Sequence, residues 1–217
     1  MNNDMPEMDD DELDALSETT VRPKRHRPQP GQRRLEILQA LATMLADPAG
    51  ERITTAALAK KLSVSEAALY RHFASKAQMF EGLIGFIEDS VMGLIHQVQE
   101  RETDHRVRCQ HMVTLVLQFA QANPGMARVM VGDALLYEHT RLQERIDLLM
   151  AKVETSLKME WRELAAQRGD ATPTVTAQIR AETLMAFVQG RLLRYCRSAW
   201  KRRPGDELAA SLDLLLA

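Results

Sequence analysis

Residues 54–76, with the sequence TTAALAKKLSVSEAALYRHFASK, contain two helix-start signals separated by one short helical segment. Thr54 stands where an N-cap belongs, and Leu58 follows at the fourth helical position, where it can close a hydrophobic staple. Ser65 and Leu69 repeat the same arrangement eleven residues later. The spacing predicts a helix-turn-helix, a motif that places its second helix in the major groove of DNA.

The same residues have a second interpretation, an ordinary pair of packed helices. Charge favours the DNA-binding interpretation, because residues 21–80 carry 11 Lys or Arg against 4 Asp or Glu, whereas residues 35–217 carry 22 of each. Positive charge is therefore concentrated where a phosphate backbone would lie.

The second helix of the motif leaves small residues and hydrogen-bond donors free of packing. We expect Ser65, Ala67, Tyr70 and His72 to read base edges, with Ala67 able to meet a thymine methyl. Hydroxyl and ammonium groups around that helix would hold phosphates. The predicted DNA-binding residues are Arg33, Thr54, Thr55, Ser65, Glu66, Ala67, Tyr70, Arg71, His72 and Lys76.

Composition predicts an all-α fold. Hydrophobic residues make up 45% of the 217 residues and aromatic residues only 5%, and no segment alternates like a hairpin strand. No apolar run approaches the ~18 residues of a membrane span, and the acidic N-terminus lacks the features of a secretion signal. We therefore expect a cytoplasmic protein that does not contact a membrane, and its expected DNA binding would make it nucleoid-associated.

Nothing in the sequence indicates catalysis. We find no Gly-rich phosphate loop, no Ser/His/Asp set in a recognisable context and no metal motif, so we expect neither an enzyme nor a cofactor. His105 and His111 lie six residues apart, away from the i, i+4 spacing of ligands on one helical face. Cys109 and Cys196 occur singly in apolar patterns and are predicted to be buried thiols.

The chain divides into three parts: residues 1–30, a disordered arm; residues 31–77, the helix-turn-helix domain; and residues 78–217, a helical domain for dimerisation and partner binding. Residues 1–20 contain 8 acidic residues and no basic one, whereas residues 21–34 contain six Lys or Arg and no acid. The basic segment is interpreted as an arm along the phosphate backbone or as a solvated linker. The acidic tail could fold back on it and compete with DNA.

Apolar periodicity predicts the remaining helices. The first should cover residues 32–46, and a fourth should start at Ser75 and be long enough to join both domains. Gly82, Gly85 and Gly93 lie inside this helix and are interpreted as close-approach or bending positions. Later helices are expected near residues 104–122, 124–131, 134–167 and 173–201, with a weaker one after residue 204. Asn123 and Thr172 each precede a proline and are predicted caps.

Reading a DNA half-site with one helix gives few contacts, so a symmetric dimer is expected. The last long helix carries apolar residues on more than one face, which favours self-association, although the same residues could fill the core of one subunit. The predicted dimer residues are Phe187, Val188, Gly190, Leu193 and Tyr195.

The run VSEAALYRHFASKAQMF resembles the recognition helix and following turn of TetR-type regulators. Residues 53–90, together with NPGMARVM and RLQERI, are more specifically similar to the nucleoid-occlusion division inhibitors of that family, over nearly all of residues 33–203. Ser63 departs from the pattern, since the family usually has glycine there. A left-handed residue other than glycine costs roughly 1 kcal/mol, so the turn should survive.

The resemblance implies a TetR-like architecture in which the last two long helices form the dimer. It also implies that dimers bind palindromic double-stranded DNA and contact the tubulin-like division protein FtsZ, with higher-order assembly on DNA left open. The implied FtsZ surface lies near the fourth and fifth helices. Phe86, Leu115 and Asn123 match the family there, whereas Leu94, Gln118 and Ala122 depart from it. The predicted FtsZ-binding residues are Phe86, Leu94, Leu115, Gln118 and Asn123.

A TetR-type repressor released by a small ligand is the alternative function. Met126, Met130, Met150 and Met159 could line a pocket in the second domain. Methionine at helical spacing more often fills a core, and no cluster of polar groups is evident that would orient a ligand.

Overall fold

A computed structural model of the chain describes residues 31–48 and 52–217, and within these ranges all regular structure is helical. The predicted all-α fold is confirmed, whereas the predicted disordered arm lies outside the described residues. The helices are α1 (Gln32–Leu45), α2 (Thr55–Lys61), α3 (Glu66–Tyr70), α4 (Lys76–Arg101), α5 (His105–Ala122), α6 (Pro124–Met130), α7 (Thr140–Gln167), α8 (Pro173–Arg197) and α9 (Leu208–Leu215), with a 3-10 turn at Asp133–Leu135.

The first three helices share a small apolar core that fixes the orientation of α3. Ile37 and Leu41 of α1 pack with Leu58 of α2, Leu69 of α3 and Phe73, and each of these side chains is 1% exposed. Burying side chains of this size stabilises the folded state by about 1.5–3 kcal/mol each. The DNA-facing side of α3 is therefore held by a packed scaffold.

The 26-residue helix α4 begins in this small domain and continues into the second one. Its N-cap is Ser75, whose hydroxyl accepts a hydrogen bond from the amide of Gln78 at 3.2 Å. A Cβ added to Gly82 would lie 3.1 Å from the Phe73 ring, so the close approach predicted there is confirmed. Gly93 has no neighbouring atom within 4 Å of such a Cβ and is not a close approach.

The second domain consists of α4 to α9, and its most extensive helix pair is α7 with α8. The helix α6 connects this domain back to α1 through an unusually close contact. A Cβ added to Gly125 would stand 1.9 Å from the carbonyl oxygen of Ala42, so only glycine fits between the two helices. Trp200 makes a second connection, since its Nε1 donates to the Ala46 carbonyl at 2.9 Å.

Two predicted helix boundaries were wrong. The helix expected from residue 134 starts at Thr140, because Gly132 adopts a left-handed φ of 78° and the chain then forms a 3-10 turn. The helix expected to reach residue 201 ends at Arg197, because Ala199 and Trp200 have φ values of 49° and 68°. Because of this left-handed segment, Trp200 lies against the end of α1.

Two predicted caps were also wrong. The Asn123 side chain donates to the Phe119 carbonyl at 2.8 Å, one turn back in α5, and makes no cap bond to α6. Thr172 makes no side-chain cap bond to α8 either, and its hydroxyl lies near the Asp170 carboxylate. Proline at the first helical position leaves one amide fewer to cap at each of these helix starts.

Both cysteines are free thiols shielded by packing. Burial raises the pKa of Cys109 to about 12 and that of Cys196 to about 11, so neither is a reactive thiolate at neutral pH. Among the described helices, none combines the length and the hydropathy required to cross a membrane.

Candidate nucleic-acid interface

The helix-turn-helix is built on the two side-chain caps that its sequence predicts. The Thr54 hydroxyl accepts from the Ala57 amide at 3.1 Å, and the Ser65 hydroxyl accepts from the Ala68 amide at 3.3 Å. Each cap satisfies an amide that a helix start would otherwise leave without a partner and stabilises the helix by about 1 kcal/mol. Ser63 lies between the helices with a φ of 54°, which confirms that the turn needs a left-handed residue there.

The helix α3 has five residues, which corresponds to about 7.5 Å of helix. Leu69 faces the core, whereas Ser65, Glu66, Ala67 and Tyr70 are exposed. Tyr70 has 45% of its surface exposed, a large fraction for an aromatic residue. The outer side of α3 thus carries small side chains at its start and an aromatic side chain at its end.

Two of the predicted DNA-binding residues are bonded to each other. The Thr55 hydroxyl donates to the Glu66 carboxylate at 2.5 Å, which ties the start of α2 to the start of α3. This bond positions α3 and occupies one oxygen of Glu66. Arg33 is also engaged, in a 2.6 Å ion pair with Glu36 within α1.

Arg34 was missed by the sequence reasoning. Its guanidinium donates to the His72 carbonyl and lies 4.1 Å from the centre of the Phe73 ring, so α1 holds the C-terminal end of the recognition helix. The contact joins residues 38 positions apart, and no local pattern could have predicted it. His72 is half-buried in this arrangement, whereas Arg71 beside it is exposed.

Lys76, a predicted phosphate ligand, forms an ion pair across the domain boundary. Its Nζ lies 2.5 Å from the Glu138 carboxylate and 5.6 Å from the centre of the Phe80 ring. Arg52, also missed from sequence, approaches the same carboxylate at 3.9 Å and donates to the Tyr137 carbonyl at 2.9 Å. The loop before α7 thus contacts the DNA-binding domain through two cations.

The predicted dimer residues divide between two faces of α8. Val188 is fully buried and Tyr195 is 4% exposed, and the Tyr195 hydroxyl donates to the Gln121 carbonyl at 3.0 Å. These two side chains stabilise their own subunit, so placing them at a dimer contact was wrong. Phe187 is half-buried under Arg191, while Gly190 and Leu193 face outward.

An exposed apolar stripe runs along both α7 and α8. On α8, Val175 and Ile179 are each 58% exposed and continue the line of Gly190 and Leu193. On α7, the exposed residues at spacings of three or four are Leu148, Ala151, Thr155 and Met159. The resemblance implied that both of the last two long helices form the dimer, but the sequence reasoning named no residue of α7, although the helical spacing of these residues was visible.

The predicted FtsZ-binding residues do not line one common cleft of the described structure. Phe86 stands on the outer face of α4 with 43% of its surface exposed, and Leu94 and Leu115 are half-buried. Gln118 borders a cleft between α5 and residues 203–212, and Asn123 borders another between α1 and α6. Phe86 is therefore the most accessible apolar residue of the set.

The four methionines considered for a ligand pocket do not converge. Met126, Met130 and Met150 belong to the buried core, whereas Met159 has 54% of its surface exposed. They behave as packing residues, as methionine usually does.

Comparison with known proteins gives consistent matches over both domains. Residues 37–83 match the family described as bacterial regulatory proteins, tetR family, and residues 103–217 match the SlmA-like family described as tetracyclin repressor-like, C-terminal domain. The nucleoid occlusion factor SlmA of Shewanella woodyi is 49% identical over 172 residues, 79% of this chain and 87% of its own length. SlmA of Shewanella sp. strain W3-18-1 is 51% identical with the same coverage.

Solved structures agree at the level of the fold. The fatty acid degradation regulator FadR of Bacillus halodurans superposes with a TM-score of 0.70 at 15% identity, covering 88% of this chain and 97% of FadR. PfmR of Thermus thermophilus, a TetR family transcriptional regulator, superposes with a TM-score of 0.65 at 20% identity, covering 83% of this chain and 96% of PfmR. With a helix-turn-helix domain, a helical second domain and relatives near 50% identity, the chain belongs to the TetR family and, within it, to the group of SlmA nucleoid occlusion factors.

Proposed function

We propose that a dimer of this chain binds palindromic DNA through α3 and, when bound, holds FtsZ against the surface around Phe86, so that no division septum assembles over the nucleoid. The observation that carries the proposal is the position of Phe86. It is an exposed aromatic residue on α4, the helix that starts beside the DNA-binding surface and extends into the second domain.

The DNA contact is divided between base reading and phosphate binding. Ser65, Ala67 and Tyr70 are exposed along α3 and are available to base edges. Thr54 at the start of α2, with the exposed Arg71, would contact the phosphates on either side. This arrangement needs no movement of α3, because its inner side is fixed by the core.

Dimerisation would use the apolar stripe of α7 and α8. Exposed apolar side chains that continue along two packed helices are typical of an interface between subunits, because water contact with them is unfavourable. Two such pairs would form a four-helix bundle, with Gly190 allowing a close approach. The two copies of α3 would then be related by a two-fold axis, as a palindromic site requires.

FtsZ binding would be linked to DNA binding through α4. If DNA binding changes the orientation of the small domain, α4 transmits the change, because it belongs to both domains. Linkage then requires that FtsZ increase the affinity for DNA by the factor by which DNA increases the affinity for FtsZ. The name of the relatives, nucleoid occlusion factor, is consistent with such a coupling.

Two variants test the two halves of the proposal. Phe86→Asp should abolish FtsZ binding and division inhibition while leaving DNA affinity intact, and Leu214→Asp, at an apolar residue of α9 that is 81% exposed, is its control. Ala67→Glu should abolish sequence-specific DNA binding by placing a carboxylate against the groove. Its control is Ala210→Glu, at an exposed alanine of α9.

The outcomes separate the proposal from its alternative. A dimer bound to its DNA site that ignores FtsZ would favour the ligand-released repressor. Mapping of chromosomal binding gives an independent result: many dispersed sites, absent near the replication terminus, are expected for an occlusion factor, and one or a few promoters for a repressor. Unchanged site-specific binding by Ala67→Glu would exclude α3 as the groove helix.

A further inference from the structure

The helix-turn-helix carries three exposed cations that form no ion pair within the described part of the chain. Lys60 and Lys61 end α2, Arg71 follows α3, and all three are exposed and make no ion pair with the described residues. Exposed cations of one motif attract any polyanion that can reach them. This surface, defined by Lys60, Lys61 and Arg71, is called the basic face below.

A polyanion is present in the chain itself. Residues 1–20 contain 8 acidic and no basic residues, and five of the acids fall within residues 9–14, with Glu7 and Glu18 on either side. The described chain begins at Gly31, directly before α1. Three residues later, Arg34 is bonded to the carbonyl of His72 at the end of the recognition helix. The acidic segment is therefore attached close to Arg71 of the basic face, the residue before His72.

The connecting segment is long enough. Residues 21–30 can span at most about 33–36 Å when fully extended, several times the length of α3. A short tether of this kind gives a local concentration on the order of millimolar, so even a weak electrostatic contact is substantially populated.

We propose that residues 1–20 act as an intramolecular substitute for DNA, occupying the basic face until a duplex displaces them. The proposal rests on the assignment of α3 and its neighbours as the DNA-binding surface. Specific and random duplexes must both displace the segment, so it lowers the affinity for each by the same factor. A millimolar local concentration and a weak contact give a factor of about three to ten. The affinity for random DNA therefore falls, while the ratio of specific to random affinity stays the same.

The first experiment removes charge from the segment and measures binding to a random-sequence duplex by fluorescence anisotropy. The tail variant changes the three aspartates at positions 9–11 to asparagine. The control variant removes the same charge elsewhere, through Glu100→Gln, Glu144→Gln and Asp213→Asn, at exposed residues without ion pairs. The tail variant should bind about two to three times more tightly than the control at low salt, a part of the full factor because five of the eight acids remain, and the difference should vanish at high salt. Equal affinities of tail variant and control would overturn the proposal.

The second experiment separates the acidic segment from the basic residues that follow it. A chain starting at residue 21 should show a steeper dependence of affinity on salt than the full chain, because DNA then displaces ions and not a tethered segment. A chain starting at residue 33 should show a shallower dependence than the one starting at residue 21, since it has also lost basic residues. Identical slopes for the full chain and the chain starting at 21 would contradict the proposal.

The third experiment locates the contact without DNA. Amide chemical shifts of Lys60, Lys61 and Arg71 should differ between the full chain and the chain starting at residue 21, and the difference should fall as salt is added. Shifts confined to residues 21–34 would show that the segment pairs with its own basic neighbour, which overturns the assignment to the basic face. Loss of DNA binding by the shortened chains would count against the proposed function and not against the segment.

Discussion

The Nζ of Lys76, the first residue of α4, lies 2.5 Å from the Oε1 of Glu138, in the loop that precedes α7. The Glu138 side chain is only 10% exposed, and Arg52 approaches the same carboxylate at 3.9 Å. Lys76 was expected to bind a phosphate, and a phosphate would compete with Glu138 for it. DNA binding would therefore weaken a contact between the two domains, which is one physical route for a signal from DNA to the second domain.

Glu138→Gln tests this competition. Loss of the carboxylate frees Lys76 for DNA, so the affinity for a duplex should rise about two- to fivefold. The slope of log affinity against log salt concentration should become steeper by up to about 0.9, the value for one added phosphate contact. The free energy of unfolding should fall by about 1 kcal/mol, because the pair is partly shielded from water. DNA titrations at several salt concentrations and urea denaturation measure the two effects. Glu163→Gln, which breaks the exposed pair with Arg162, is the control and should change neither quantity.

The contact between α1 and α6 predicts an asymmetry between two glycines. Gly125→Ala forces a methyl group into the Ala42 carbonyl, so one helix must move, and the free energy of unfolding should fall by about 2–3 kcal/mol. Gly93→Ala is the matched control inside α4. It meets no atom within 4 Å and gains helix propensity, so it should stabilise by about 0.5–1 kcal/mol. Equal destabilisation of the two variants in urea would contradict the packing of α6 on α1.

The apolar stripe predicts the site of dimerisation. Ile179→Glu places a charge in the middle of the stripe on α8 and should shift the protein to monomers in sedimentation experiments. DNA affinity should then fall steeply, because each half-site is bound alone. Leu214→Glu, at a residue of α9 that is 81% exposed, is the control and should remain dimeric. A dimeric Ile179→Glu protein would place the interface elsewhere.

Local sequence patterns predicted the helix-turn-helix well, because its determinants lie within a few residues of one another. The caps at Thr54 and Ser65 follow from neighbours along the chain, whereas the left-handed Ser63 was expected from the family resemblance. The caps expected at Asn123 and Thr172 were wrong, because other hydrogen-bond partners also lie within a few residues of each side chain. Each side chain found a different local partner, and a residue type alone does not say which partner is chosen.

Contacts between distant residues could not be predicted. The pairing of Lys76 with Glu138 spans 62 positions, and it depends on how the loop before α7 folds against the small domain. The split of α8 into inner and outer faces was missed because apolar residues on both faces look alike in sequence. Val188 fills the core of the subunit, whereas Leu193 faces outward, and only the position of the neighbouring helices distinguishes them.

A buried carboxylate joins three helices of the second domain. Glu160 of α7 is 4% exposed, and its oxygens lie 2.7 Å from the Nδ1 of His105, 3.1 Å from Arg108 and 3.0 Å from the amide of Gln99. Burial raises the pKa of Glu160, but the hydrogen bonds from His105, Gln99 and Arg108 outweigh it and hold the pKa below its ordinary value of 4.5.

The lowered pKa of Glu160 predicts how stability depends on acid. Because the folded state binds this proton less readily than the unfolded state, the contribution of Glu160 is fully present above about pH 4.5 and is lost as the pH falls through the folded-state pKa. Glu160→Gln should lower the free energy of unfolding by about 3 kcal/mol near pH 7, because Arg108 is left without its carboxylate. The gap in free energy of unfolding between Glu160→Gln and the unchanged protein, measured by urea denaturation, should narrow as the pH is lowered from about 5 to 3. A gap that stays constant over that range would mean that packing, and not the charge of Glu160, joins α4, α5 and α7.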